Sequence, residues 1–248
     1  MPDGERYYIV GDIHGRCDLF EALIKAIEAD DRSGAPADTT IVLLGDLVDR
    51  GSDSAGVLRR ARQWQQQRRV RILTGNHEEM FTESLADKEV LRHFLKHGGR
   101  ETILSYGIPS REFNELTIDE LFERLPSLIA NEDLDFIATF EERIVCGDYL
   151  FVHAGIDPLV PIEDQKRRDM LWIRDRFLRH KGPLEKIVVH GHTIYDEVED
   201  CGNRIGIDTG AFRTGLLTAL VLEEDRRRTI QAANDGETIE IISGELAS

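Results

Sequence analysis

The feature that most constrains this chain is a repeated juxtaposition. Short, continuous apolar runs each stop at a polar cluster containing glycine. The runs are Tyr7–Val10, Thr40–Leu44, Val70–Leu73, Tyr149–Val152, Ile187–Val189 and Arg204–Ile207. Runs of this length, rich in Ile, Val, Leu and Tyr, fit strands covered on both faces. Two apolar stripes recur at helical spacing instead: Leu19, Leu23, Ile24 and Ile27, then Val57, Leu58, Ala61 and Trp64. Strand, polar turn and helix in repetition predict a layered α/β domain, strands inside and helices outside.

Two regions break that rhythm. Residues 78–143 read as mostly helical, with apolar positions at Leu91, Phe94, Leu95, Ile103 and Leu104, and with Thr117 and Glu120 placed as a capping box before Leu121. This stretch is expected to be a helical insertion between strands of one domain spanning residues 1–248. The tail alternates again over Leu217–Glu223, Thr229–Ala233 and Thr238–Ile242, with Asn234-Asp-Gly236 as a hairpin turn.

Composition excludes several classes of function. The 31 Lys and Arg against 47 Asp and Glu leave a formal charge of −16. That balance speaks against general nucleic-acid binding, which neutralises phosphates with basic side chains, and against attraction to an anionic membrane. No apolar run reaches the roughly 20 residues that span a bilayer, and the polar start Met1-Pro-Asp-Gly-Glu-Arg6 lacks the apolar segment of a secretory signal. Cys17, Cys146 and Cys201 are odd in number, distant and without metal-site spacing. They are expected to be free thiols in a reducing cytoplasm.

The chemistry-bearing residues sit where the runs end. Gly11-Asp-Ile-His-Gly15 follows the first run, Gly45-Asp-Leu-Val-Asp-Arg-Gly51 the second and Gly75-Asn-His-Glu78 the third; His153-Ala-Gly155 and His190-Gly-His-Thr193 follow the next two. Strand ends in α/β folds face a common crevice, so these segments can converge. Asp12, His14, Asp46, Asn76, His153 and His192 together offer carboxylate, imidazole and amide donors and no thiolate. Such a set suits Mn, Fe or Zn better than Ca or a soft ion. Six donors exceed what one ion with an open position needs, and two ions sharing a carboxylate fit better. His93, His97 and His180 read as surface or packing residues, and His190 as structural because it alternates away from His192.

Gly-Asp-Ile-His-Gly, Gly-Asp-Leu-Val-Asp-Arg-Gly and Gly-Asn-His-Glu resemble the signature of the phosphoprotein phosphatases within the calcineurin-like metallophosphoesterases. His153-Ala-Gly, Gly-His192-Thr and Ile207-Asp-Thr-Gly-Ala211 resemble their bacterial and bacteriophage-type members. The resemblance implies a central β-sandwich flanked by helices and two divalent cations, Mn2+ first, with Fe or Zn as alternatives. It implies that Asp12 and His14 hold the first ion, that Asp46 bridges, and that Asn76, His153 and His192 hold the second. His77 would be the general acid, Asp49 its partner, and Arg50, Asn76 and Arg174 the phosphate-binding side chains. Arg174 lies in a Trp-x-Arg element, whereas Arg176 reads as an ion-pairing surface residue. The implied reaction is hydrolysis of phosphoserine or phosphothreonine in proteins, and of small phosphoesters, by a metal-bridging water. A symmetrical bis(5'-nucleosyl)-tetraphosphatase is the rival within the same fold. That group usually lacks the acid at Asp49 and tends to carry Asp where this chain has Glu78. A non-catalytic scaffold would have lost a ligand or the His77–Asp49 pair, and neither is missing.

Overall fold

Alternation along the strands decides the layering. In β1 (Glu5–Val10), Tyr7 and Ile9 face one core while Tyr8 and Val10 face another. In β2 (Asp38–Leu43), Val42 joins Tyr7 and Ile9, whereas Ile41 and Leu43 join Tyr8 and Val10. With side chains alternating across a strand, a wholly apolar run must feed two cores. The computed structural model describes residues 1–246. Ala247 and Ser248, the last two residues of the expected 1–248 domain, lie outside the described residues.

β1, β2 and β3 (Val70–Ile72) run parallel, and the first two are linked by the helix α1 (Cys17–Ser33) and the next two by α2 (Ser54–Gln67). The second sheet has β4 (Arg143–Cys146), β5 (Tyr149–Val152), β6 (Ile187–His190), β7 (Glu199–Asp200) and β8 (Arg204–Gly206) in the order β4-β5-β6-β8-β7. Its central strands β5, β6 and β8 are also mutually parallel. β9 (Leu216–Glu223), β10 (Arg226–Asn234) and β11 (Ile239–Glu245) return as antiparallel strands and complete the first sheet as β11-β10-β9-β1-β2-β3. The tail forms the expected hairpin at Asn234–Gly236, and a second turn joins β9 to β10; β10 starts three residues before the alternating run, and β11 ends three residues after it. Arg6, at 1% exposed, is buried because Asp31, Glu223 and the Ala35 carbonyl converge on its guanidinium.

The two sheets pack face to face. Tyr7, Ile9 and Val42 meet Tyr149, Phe151 and Val189, and Phe151 stacks on Tyr7 with ring centroids 5.7 Å apart. The outer face of the first sheet packs on α1, α2 and the insertion helices, and that of the second on Met170 and Phe177. The result is the expected sandwich between helical layers. The insertion comprises α3 (Asn76–Ser84), α4 (Lys88–Phe94), a π-turn at Leu95–Gly99, α5 (Arg100–Ser105), α6 (Ser110–Glu115), α7 (Ile118–Leu128) and α8 (Asn131–Ile137). Its Phe94, Ile103, Leu121 and Leu125 share one core with α1 and α2. The expected capping box is present: Thr117 Oγ1 accepts from the Glu120 N–H at 3.3 Å, and Glu120 accepts from the Thr117 N–H at 2.8 Å. Two short helices follow β5, α9 (Arg167–Trp172) and α10 (Asp175–Leu178), and α11 (Ala211–Thr214) precedes β9.

Phe151 is wholly buried between the sheets. Phe151→Ala is expected to cost about 3–5 kcal/mol, the range for deleting a buried aromatic ring. An unfolding free energy from urea titration within about 0.5 kcal/mol of the parent, the range typical of surface changes, would contradict an inter-sheet core at this position.

Candidate metal centre

Because β1, β2 and β3 are parallel, and β5, β6 and β8 likewise, each triplet delivers its polar C-terminal ends to one edge. Asp12 and His14 leave β1, Asp46 leaves β2, Asn76 and His77 open α3 just after β3, His153 leaves β5 and His192 leaves β6. The backbone at this edge is held in unusual conformations. His14, Asp46, Asp49, Arg50 and His192 all have positive φ, between 47° and 74°. Such positions cost of order 1–3 kcal/mol each and persist only where surrounding contacts over-determine them. Glu78 supplies many of those contacts. Its buried carboxylate accepts from the N–H groups of Gly75 (2.8 Å), Asp46 (2.9 Å), Leu47 (2.7 Å) and Val48 (3.3 Å). Burial and the neighbouring Asp46 push Glu78 up to about 7, against the pull of those N–H groups. Two glycines make room for carboxylates: a Cβ on Gly75 would fall 2.1 Å from Asp46 Oδ1, and one on Gly191 2.0 Å from Asp12 Oδ1.

Asp46 is the centre of the arrangement, at 1% exposed. Its Oδ2 lies 3.5 Å from His14 Nε2 and 3.9 Å from His77 Nε2, while its Oδ1 lies 3.4 Å from His153 Nε2. Two groups of mutually close donors result, His14 with Asp46 and His77, and Asp46 with His153 and His192. Asn76 joins the second, with Oδ1 at 2.9 Å from His153 Nε2 and 2.8 Å from His192 Nδ1. Burial raises the Asp46 pKa, and positive charge among the surrounding imidazoles, at His153 first, is what would hold it far below the usual carboxylate range.

Tautomers show what the site lacks within the chain. His153 Nδ1 donates to the Leu44 carbonyl at 2.8 Å, and burial holds the ring below the ordinary imidazole range. Its Nε2 is therefore a lone pair, and it faces two oxygen lone pairs, on Asn76 and Asp46. Such atoms repel unless a cation lies among them. Ligands about 2.0–2.2 Å from one ion sit roughly 3.0–3.4 Å from each other, close to the separations found here. His14 follows the same pattern: Nδ1 donates to the Val48 carbonyl at 2.8 Å, leaving the Nε2 lone pair inward, and burial holds its pKa well down. His192, pushed to about 2 by burial and then by His153, has a buried Nε2 without a partner. These donors fit divalent cations, which require neutral imidazole and ionised carboxylate.

Asp12 lies beside both groups rather than within either. Its two oxygens accept from the His192 N–H at 3.2 and 3.0 Å, and burial, Asp208 and Asp46 raise its pKa. His77 falls geometrically into the first group, yet its Nδ1 is committed to Asp49 Oδ2 at 2.6 Å. Burial would depress His77, but Asp46 and Asp49 more than offset this and raise its pKa. Arg50 donates through Nη1 to His14 Nε2 and through Nη2 to His77 Nε2, both at 3.0 Å; the second contact belongs to the neutral His77 ring, and the Arg50 charge opposes its protonation. Arg174 stands exposed just before α10, donates to Thr193 Oγ1 at 3.4 Å, and helps depress His153 and His192. Arg176 pairs with Asp157 at 2.6 Å. His190 is buried between the rings of Phe177 and Tyr195, as its alternation implied.

Sequence reasoning passed over two neighbours of the site. Asp208, just after β8, is buried with Oδ1 accepting from the Gly210 N–H (2.9 Å) and Oδ2 without a partner. Burial pushes it up to about 6. Its signal was available, since it too follows an apolar run. Phe212 on α11 lies under the Arg50 guanidinium at 4.6 Å and edge-on to His14 at 5.4 Å; nothing in the local sequence marks it.

Serine/threonine-protein phosphatase 1 of Salmonella typhimurium is 29% identical over 217 residues, covering 85% of this chain and 89% of that protein. The asymmetrical bis(5'-nucleosyl)-tetraphosphatase PrpE of Bacillus velezensis is 26% identical over 251 residues, covering 92% and 93%. Two solved structures share the fold. A cold-active protein-tyrosine phosphatase of a Shewanella species has a TM-score of 0.58 at 21% identity, over 97% of this chain and 82% of that one. A protein serine/threonine phosphatase of Saccharomyces cerevisiae has a TM-score of 0.53 at 17% identity, over 100% and 82%. Residues 5–211 match the calcineurin-like phosphoesterase family. The chain, with its strand-end carboxylates and imidazoles gathered on Asp46, belongs to the calcineurin-like phosphoesterases.

Proposed function

We propose that this phosphoesterase hydrolyses phosphomonoesters, with phosphoserine and phosphothreonine in proteins as its substrate class and small phosphoesters as further substrates. The observation that carries this is the buried His77–Asp49 pair, 2.6 Å apart, at the edge of the donor groups around Asp46. A serine or threonine alkoxide is a poor leaving group and needs a proton as it departs. A nucleotide leaves as a phosphate anion and has little need of one. The serine/threonine phosphatase named among the relatives supports the same substrate class.

Asp12, His14 and Asp46 would hold one divalent cation, and Asp46, Asn76, His153 and His192 a second. Mn2+ is the proposed ion, and Fe or Zn suits the same nitrogen and oxygen donors. Such ions supply Lewis-acid charge and bring a water's pKa toward neutrality. The chain's own residues do the rest. Arg50, carried on a left-handed turn and backed by the Phe212 ring, presents a planar fork to phosphate oxygens. Arg174 offers a second guanidinium, and Asn76 a side-chain amide. His77 Nδ1 stays bonded to Asp49, which directs Nε2 toward the site and stabilises the imidazolium that delivers the proton. Among the described residues no helix is long and apolar enough to cross a membrane.

A dinucleoside tetraphosphatase activity is the second reading, favoured by the PrpE relative. Comparing kcat/KM for a phosphoserine peptide and for diadenosine tetraphosphate separates them. The peptide is expected to be preferred, and clear preference for the dinucleotide would transfer the assignment. His77→Asn is expected to keep bound metal while lowering turnover of an alkyl phosphate by about 10²–10⁴-fold. Because the His77 pKa is raised, its acid form persists above the ordinary imidazole value. Turnover in the parent should fall as pH rises through that raised value, and the variant should lack this limb. Chelation should lower the melting temperature reversibly. Re-adding Mn2+ at 100 times its Kd returns about 2.7 kcal/mol, whereas an unchanged melting temperature would argue against a cation held by these donors.

A further inference from the structure

The helical insertion reaches into the acid pair. Asp49 is wholly buried, and its backbone N–H is shared between Ser54 Oγ (3.0 Å) and Thr102 Oγ1 (2.8 Å). Thr102 Oγ1 in turn donates to Asp49 Oδ1 at 2.6 Å, and Ser54 Oγ lies 2.9 Å from Thr102 Oγ1. Proton count orders this network in one direction. Thr102 has a single hydroxyl hydrogen, which goes to Asp49 Oδ1, so Ser54 must be the donor to Thr102. The two Asp49 oxygens are thus divided, Oδ1 to Thr102 and Oδ2 to His77 Nδ1. Thr102 and Ser54 are both fully buried, so no solvent can replace either hydroxyl. The same segment fixes the next residue. The Arg50 N–H donates to the Gly98 carbonyl at 3.1 Å, within a π-turn where Gly98 takes φ 107°. A Cβ there would lie 2.7 Å from the Arg50 backbone nitrogen.

We infer that Thr102, from the insertion, is a positioning residue for the general acid: its hydroxyl orients the Asp49 carboxylate, and through it the His77 imidazole. A helix interior does not otherwise call for a buried hydroxyl aimed at a carboxylate, and Val would fill the same volume. This inference rests on His77 acting as the acid in the function proposed above. It also gives the insertion a role in the chemistry, since α5 reaches Asp49 from outside the strand-end loops.

The test compares Thr102→Val, Thr102→Ser and Thr102→Ala with the parent as Mn2+-loaded full-length protein. Two substrates are used, a phosphoserine peptide with a poor leaving group and p-nitrophenyl phosphate with a good one. Thr102→Val should lower kcat on the peptide by about 10-fold or more, part of the 10²–10⁴-fold attributable to general acid catalysis. On p-nitrophenyl phosphate, where a good leaving group needs the proton less, it should lower kcat several-fold less, with KM and bound metal near parental values. Thr102→Ser, which keeps the hydroxyl, should restore most of the peptide activity. If Thr102→Val does not fold, Thr102→Ala carries the same comparison against the serine variant. Equal losses on both substrates, no loss, or failure of serine to rescue overturns the inference. His77→Asn run in parallel separates the failures. Leaving-group dependence in His77→Asn but not at Thr102 refutes Thr102 alone, and its absence from both removes the acid role of His77 as well.

Discussion

Burying a carboxylate is among the costliest things a fold can do unless opposite charge or hydrogen bonds compensate it. Asp46 is such a carboxylate, and the site is arranged around it. Its backbone is strained into the left-handed region, its N–H is taken by Glu78, and its two oxygens face separate imidazole groups. The imidazoles that surround it are turned by the Leu44 and Val48 carbonyls so that they present lone pairs rather than N–H groups. The two sheets bring these loops to a single edge, and the strain in five of the site residues is borne by that scaffold. The cation-binding function proposed for this edge explains why the fold tolerates so much unneutralised lone-pair density in one place.

Much of this was legible in the sequence because the strands are short and end abruptly. Runs such as Tyr7–Val10 and Tyr149–Val152 alternate between two cores while remaining apolar throughout, which is the signature of strands buried on both faces. Their C-terminal ends must share an edge when the strands are parallel. The motif residues were thus placed together before any side-chain geometry was known. What escaped notice depended on long-range pairing. β4, which begins where the helical stretch ends, is absent from the apolar runs because only Ile144, Val145 and Cys146 lie between Arg143 and Gly147, and its strand conformation is set by antiparallel pairing with β5. Arg6 reads as an exposed charge on a strand, yet three acceptors from distant segments bury it.

Glu78 served in the sequence only as a marker of family likeness. Its physical task, tying four backbone N–H groups across two loops, needs a side chain long enough to reach back from α3. Asp208 occupies a strand end like Asp12, Asp46, His153 and His192 and lies inside the Ile207–Ala211 motif, so it could have been given a role by the same reasoning. Phe212 and Thr102 could not. Each acts on a motif residue from outside the motifs, Phe212 on Arg50 from the position just past Ala211 and Thr102 on Asp49 from α5. The parts of a site carried by close sequence spacing are readable in advance, whereas the braces that hold them are set by tertiary contact.

The most direct measurement is anomalous diffraction from crystals of the Mn2+-loaded protein. Two peaks about 3.5–4 Å apart, one toward His14 and the other toward His153 with Asp46 between them, are expected. A single peak, or peaks remote from Asp46, would contradict a dinuclear centre built on that carboxylate.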